Sequence, residues 1–171
     1  KGEKIATYGL TEPNAGSDMA NIQATAFKDG DDFVINGQKT WASRGAFAHW
    51  LCGMFRSEPG SERPKGLTFI LVALDTPGVT VRPIEKLNHK KAFAEVFFDN
   101  ARVPISNQLG KEGKGWELAM ATAGFERGQD DSGQGAAPSA ACAEFGQRMI
   151  LGGFDGVVEG RHHEQGEDRR G

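Results

Sequence analysis

Between Phe33 and Phe98, short runs of β-branched and aromatic residues are separated every few positions by turn signals, and this punctuation restricts the chain more than any other feature. Asp29-Gly30-Asp31 is a tight-turn signal ahead of Phe33-Val34-Ile35. Asn36-Gly37 reads as a second turn, after which Gln38 to Ser43 returns antiparallel. A third strand is expected over His49 to Arg56, followed by a polar loop from Ser57 to Lys65. Leu67 to Leu74 has the continuous apolar character of a buried strand and ends at Asp75-Thr76-Pro77-Gly78. Val79 to Pro83 and Ala94 to Phe98 are further strands. Val103-Pro104 belongs at an edge or exit, because proline has no N–H to give to a ladder. Many short strands at this spacing predict a mainly β fold, an antiparallel barrel or sandwich.

The pattern changes at Gly115. Trp116, Leu118, Ala119, Ala121, Thr122 and Phe125 open a helix, with Gly113 to Gly115 as its lead-in. From Gln129 the chain turns rich in Gly, Gln, Asp and His, and its apolar residues, such as Phe145, Met149 and Phe154, are too scattered for a core helix. Residues 129–171 are therefore expected to be weakly ordered or only locally helical. The length of 171 residues suits one domain with a sizeable core.

A net charge of −3 with mixed signs gives no basic footprint for nucleic acid. The longest apolar run, Leu67 to Leu74, is far short of a membrane span. The start, Lys-Gly-Glu-Lys, has neither a Met nor an apolar leader, which points to a fragment or processed chain of cytoplasmic origin. Cys52 and Cys142 are widely separated and match no zinc spacing; a reduced chain is the plainer reading, with Cys52 in Trp50-Leu51-Cys52 as a small buried hydrophobe. His49, His89, His162 and His163 make no metal pattern either.

Two polar segments can carry chemistry. Tyr8-Gly9-Leu10-Thr11-Glu12-Pro13-Asn14-Ala15-Gly16-Ser17-Asp18 follows a strand-like lead with a loop that exposes N–H groups and hydroxyls, and Gly16 permits close approach of a ligand. Taken alone, such a loop is more simply a structural turn. In Asn36-Gly37-Gln38-Lys39-Thr40-Trp41-Ala42-Ser43, a tryptophan near a strand end can stack on a planar ring while a neighbouring hydroxyl meets its polar edge. Core packing is the competing reading for Trp41.

Together and in this order, the two segments resemble the two flavin-contacting signatures of the acyl-CoA dehydrogenases. Asp75-Thr76-Pro77-Gly78-Val79, Val96-Phe97-Phe98-Asp99 and Arg102-Val103-Pro104 extend the resemblance, and Gly110 to Trp116 is similar to that family's entry into a C-terminal helical domain. The resemblance spans 1–128. It implies a three-domain enzyme, usually a homotetramer, of which 1–112 would be the middle β-domain and 113–128 the start of the C-terminal helices. The remainder, 129–171, departs from the family and reads as a frame-shifted or divergent tail.

The resemblance also implies roles. Tyr8, Leu10, Thr11, Gly16 and Ser17 would line FAD, with Thr11 addressing the isoalloxazine and Ser17 lying near the pyrophosphate and the acyl-CoA. Trp41 would pack on the flavin ring beside Ala42, and the Ser43 hydroxyl would approach the N5 edge. The implied reaction is α,β-desaturation of an acyl-CoA thioester, with electron-transfer flavoprotein as partner. A carboxylate removes the α-proton, and the β-hydrogen leaves as hydride to the flavin. Most members take that carboxylate from a C-terminal stretch with no counterpart here. A minority place it just before an arginine on the first helix of that domain, where Glu126 precedes Arg127; an ion-paired helix residue is the plainer account of Glu126. Lys86 to Lys91 could meet CoA phosphates, although a solvated loop is simpler. Acyl-CoA oxidases and flavin monooxygenases share the same barrel, and a non-catalytic flavin- or acyl-CoA-binding β-domain is the alternative of a different class. With its helical domains missing, the chain alone is expected to have little or no dehydrogenase activity.

Overall fold

The computed structural model describes residues 4–126, and for 124–126 the backbone alone. The expectations for 129–171, and with them Cys142, His162 and His163, lie outside the described residues, as do Arg127 and the Glu126 side chain. The elements are β1 (Ala6–Gly9), β2 (Thr25–Asp29), β3 (Asp32–Ser43), β4 (Trp50–Arg56), β5 (Leu67–Ala73), β6 (Val79–Glu85), β7 (Lys91–Pro104), β8 (Gln108–Leu109) and α1 (Gly115–Glu126). The strands form one sheet in the order β6-β7-β3-β2-β4-β5-β8, and β1 pairs with β4. Pairing is antiparallel except along β4, which takes β1 and the first residue of β2 in parallel.

The strand alternation explains why this sheet folds over on itself. In β4 and β5 every residue is buried, so both faces must be covered. Trp50, Cys52, Met54, Phe69 and Leu71 turn one way and pack with Leu109, Leu118 and Ala119. Leu51, Phe55, Ile70 and Val72 turn the other way and meet Phe33, Ile35, Val96, Phe98 and Val103 from β3 and β7. The rings of Phe55 and Phe98 touch edge to face with centroids 5.3 Å apart. Strands that are not neighbours in the sheet thus share one core, which is the sandwich-like arrangement expected of the sequence.

The Gly30 turn forms as expected: β2 and β3 make a hairpin, and Gly30 takes φ +61°. The second expected turn does not form. Asn36-Gly37 lies inside β3, which runs unbroken from Asp32 to Ser43. The opposing strand explains why. The β3–β7 register slips between Ile35 and Gly37, leaving an extra residue on β7 where Asn100 has φ +50°. The Asn36 side chain holds this bulge, its Oδ1 accepting from the Asn100 backbone N–H at 2.9 Å and its Nδ2 donating to Asn100 Oδ1 at 3.2 Å. An Asn-Gly pair that would make a hairpin over two residues instead braces a partner strand 64 positions away.

One buried cation organises the loops at the far end of β4. The Arg56 guanidinium donates to the carbonyl oxygens of Ile22, Ser61, Arg63 and Lys65 at 2.9–3.1 Å, and to the Ser61 hydroxyl at 3.1 Å. It therefore fixes both the 57–66 loop and the segment leading into β2. Arg63 on that loop pairs with Asp18 at 3.2 Å. At this same end of the sheet, where Leu67 pairs with Arg56, α1 begins at Gly115 hard against β5, and an added Cβ would lie 2.8 Å from the Leu67 carbonyl oxygen.

Candidate functional site

The two polar segments meet side by side, and hydrogen bonds and an ion pair cross between them. The Thr7 hydroxyl donates to the Ser43 carbonyl at 2.6 Å, the Thr40 N–H donates to the Thr11 carbonyl at 2.8 Å, and the Lys39 ammonium reaches Glu12 Oε1 at 2.7 Å. After Thr11 the chain closes a tight loop in which Glu12 and Ala15 exchange backbone hydrogen bonds at 3.1 and 3.2 Å.

Trp41 is the residue the local structure treats most unusually. Along β3 the buried positions are Phe33, Ile35 and Lys39, all odd, and then Thr40 and Ala42, both even. The parity changes because the pairing with β7 slips between Lys39 and Ala42, so that two residues of β3 face one of β7. In an unbroken strand Trp41 would share the inner face with Lys39. The bulge instead turns it outward at φ +57°, a left-handed conformation that is a genuine outlier for a bulky residue. The residue is 58% exposed, and its ring meets Phe93 edge on with centroids 6.0 Å apart. Core packing of Trp41 is thereby excluded. A large aromatic face, held out of the core on a strained backbone, is an arrangement a packing role does not call for.

The other candidates divide by what their side chains do. Ser43 is exposed and Thr11 half-buried, flanking the cross-linked segments with hydroxyls. Ala42 is buried in the inner core, with Phe33 and Phe98, and so presents only backbone to a ligand, whereas Leu10 is half-buried against the outer core, with Phe69 and Leu118. Tyr8 also packs against the outer core, with its ring edge to face on Phe69 at 6.3 Å. Gly16 and Ser17 are exposed past the tight loop, and a Cβ added at Gly16 would meet nothing within 4 Å. The Glu126 backbone closes α1. His49 serves structure: its Nδ1 accepts from the Ile5 N–H at 3.2 Å. His89 lies by Glu85 on the exposed β6–β7 turn that also carries Lys86 to Lys91. Cys52 is fully buried, and burial pushes its thiol well above the ordinary range. Among the described residues no three of His, Cys, Asp and Glu gather as a metal site.

Sequence reasoning missed the pair beneath this surface. Lys39 is 0% exposed and Glu12 6%. Glu12 accepts from the N–H groups of Gln23 at 2.7 Å and Ala24 at 3.0 Å as well as from Lys39, while Lys39 also reaches the Leu10 carbonyl at 3.4 Å and sits 5.1 Å from the Phe55 ring centroid. A signal existed, since Phe33, Ile35, Gly37 and Lys39 fall on one face by alternation, and a lysine on a core face requires a buried acceptor.

Burial pulls the Lys39 ammonium down to about 8, outweighing the attraction of Glu12. The unfolded chain keeps this lysine protonated to near 10.5, so above pH 8 it binds more protons than the folded chain. The Lys39 contribution to stability is thus expected to rise with pH between about 8 and 10.5. Urea unfolding of wild type and Lys39→Met across that window checks it: the gap should shift in favour of wild type as pH climbs, and a constant gap would contradict the sign.

The sequence model of the acyl-CoA dehydrogenase middle domain matches residues 7–101. Acyl-CoA dehydrogenase IpdE1 of Mycobacterium tuberculosis is 48% identical over 126 residues, covering 74% of this chain and 33% of its own length. A crystal structure of acyl-CoA dehydrogenase from Geobacillus kaustophilus superposes with a TM-score of 0.63 at 33% identity, over 92% of this chain and 50% of that one. A glutaryl-CoA dehydrogenase from Mycobacterium smegmatis, in complex with FADH2, has a TM-score of 0.59 at 32% identity, over 70% of this chain and 30% of that one. The chain thus spans about a third of the length of the curated relatives it matches.

Proposed function

The chain belongs to the acyl-CoA dehydrogenase family, and from that premise we propose that it forms the flavin-facing β-part of an enzyme that desaturates an acyl-CoA thioester between Cα and Cβ. On this reading 1–112 is the middle domain and 113–128 begins the helical domain that completes the site. The observation that carries the proposal is Trp41, 58% exposed on a strained bulge beside two hydroxyl-bearing segments. A planar aromatic ligand suits that surface, since the indole face is available and Thr11 and Ser43 supply hydroxyls at its margin. Gly16, with open space where a side chain would stand, suits the close approach of a pyrophosphate to backbone.

FAD, when bound, supplies an acceptor for the hydride leaving Cβ. The chain's own residues bind and orient. Trp41 fixes the plane of the ring, with the Ala42 and Leu10 backbones and the Tyr8 side of the loop around it. Thr11 and Ser43 offer hydrogen bonds to its polar edges, and Ser17 faces the acyl-CoA. Glu126 is the candidate within this chain for the carboxylate that takes the α-proton; a base from the remaining two-thirds of a full-length protein is the other reading. Electron-transfer flavoprotein as electron acceptor and assembly as a homotetramer belong to the same proposal.

Titrating the purified chain with FAD, followed by flavin fluorescence quenching, tests it. Saturable binding is expected, weakened about tenfold or more in Trp41→Ala, because stacking on an aromatic ring contributes about 1–3 kcal/mol. Gly16→Ala should weaken binding while leaving stability unchanged or slightly higher, since the new methyl meets nothing in the chain. Binding indifferent to both substitutions would overturn the assignment of this surface.

A further inference from the structure

Beneath the surface just described lies a group that the flavin reading does not use. Glu12 and Lys39 are each one or two residues from a ligand-facing position: Glu12 follows Thr11, and Lys39 precedes the Thr40–Trp41 bulge. Their charges are almost wholly removed from water. A buried ion pair is a poor device for stability alone, because desolvation offsets most of the attraction and an apolar pair of the same volume often serves as well. What such a pair does supply is a fixed distance and direction between two segments.

Here the segments so fixed are three. The Glu12 carboxylate receives the N–H groups of Gln23 and Ala24 at the entry to β2, and the Lys39 ammonium from β3. Lys39 in turn reaches back to the carbonyl of Leu10. One residue along, the Thr40 N–H bonds the Thr11 carbonyl. Both sides of the loop around Thr11 are therefore tied to the strand at the point where its parity breaks. The bulge needs such a tie, since a tryptophan in the left-handed region relaxes toward extended backbone unless its surroundings hold it.

We propose that the Glu12–Lys39 ion pair is a positioning element that locks the Thr11 loop to β3 and holds the Trp41 bulge in its outward, ligand-facing form. Neither residue touches the ligand; both act through Thr11 and Trp41. The inference rests on the flavin reading for its functional meaning, but the lock itself is a property of the ligand-free chain and is tested there.

Labelling the full chain with 5-fluorotryptophan gives separate 19F NMR signals for Trp41, Trp50 and Trp116, and Trp41→Phe assigns the first. In Lys39→Met, and in Glu12→Gln, which keeps the volume and removes the charge, the Trp41 signal is expected to shift or broaden while that of Trp116 on α1 stays in place. Lys39→Arg, which keeps a cation opposite Glu12, should restore the Trp41 signal at least in part. Glu12→Gln serves on its own if Lys39→Met does not fold. An unmoved Trp41 signal in either folded variant overturns the proposal, as does equal movement of all three signals.

FAD affinity then forms a double-mutant cycle over Lys39→Met and Trp41→Ala. Lys39→Met should weaken binding about tenfold when Trp41 is present and less than about twofold when it is absent. Additive losses would mean that Lys39 does not work through Trp41, which also overturns the proposal. If the wild-type chain binds no FAD but the Trp41 signal moves as stated, the lock stands and the flavin reading of this chain falls.

Discussion

Replacing Arg56 by Met is expected to destabilise the fold by about 3–5 kcal/mol, the largest loss of any single substitution considered. Domains of this size have only about 5–15 kcal/mol in hand, so the variant should be largely unfolded under mild heating. The size follows from what is left behind. The guanidinium supplies donors to Ile22, Ser61, Arg63 and Lys65 carbonyls within a region only 8% open to solvent at Arg56, and an apolar side chain strands those acceptors. Arg56→Lys should recover only part of the loss, because a point-like ammonium cannot fork toward several carbonyls at once. Urea unfolding of the three proteins measures this. A loss under about 1 kcal/mol for Arg56→Met would show that water replaces the guanidinium, and that the 57–66 loop does not depend on it.

Gly37→Ala is the second substitution with a large expected effect, a loss of about 2–4 kcal/mol. Gly37 has φ +128°, a region closed to residues with a Cβ, and the added methyl would lie 2.7 Å from the Ala24 Cβ and 2.8 Å from the Ala24 Cα. Backbone stands in the way, so no rotamer change relieves the clash. Gly30 is the control. It too has positive φ, +61°, but nothing lies within 4 Å of its would-be Cβ, and asparagine tolerates that conformation. Gly30→Asn is therefore expected to stay within about 0.5 kcal/mol of wild type. Equal losses at the two positions would contradict the claim that close approach to Ala24, rather than φ alone, sets the requirement at Gly37.

The contrast between these glycines also marks how far the sequence could be read. Gly30 lies in a hairpin whose two strands are adjacent in sequence, so local turn chemistry was enough to find it. Gly37 answers to the close approach of Ala24 beside a register shift against β7, and no local turn rule announces either contact. The same limit hid the bulge at Thr40–Trp41. It contains no glycine to flag it, and only the register against Val96 and Ala94 reveals it. The strands at His49–Arg56 and Leu67–Leu74 were legible because their runs are uniformly apolar, and they appear as Trp50–Arg56 and Leu67–Ala73. In the candidate site, the exposed Trp41 and Ser43 were named from sequence, whereas Glu12 and Lys39 beneath them were passed over. Charged residues in a polar motif invite a solvated reading, and their burial is decided by strands that the motif does not contain.

The placement of β4 has a consequence for the order in which this molecule can form. The strand stands between both cores, and its parallel neighbour β1 comes from far away in the chain, Ala6 pairing with Trp50. β3 is completed only by β7, through contacts such as Asn36 with Asn100. During synthesis the first half of the sheet must wait with an open edge until the second half has emerged. Such non-local topology places folding among the slower small domains, in the millisecond-to-second range on the order of β-sandwiches. A growing chain with an unpaired, strongly apolar strand is also the state most open to association with its neighbours. For this protein, the vulnerable interval is the one before Val96 to Pro104 has closed on β3.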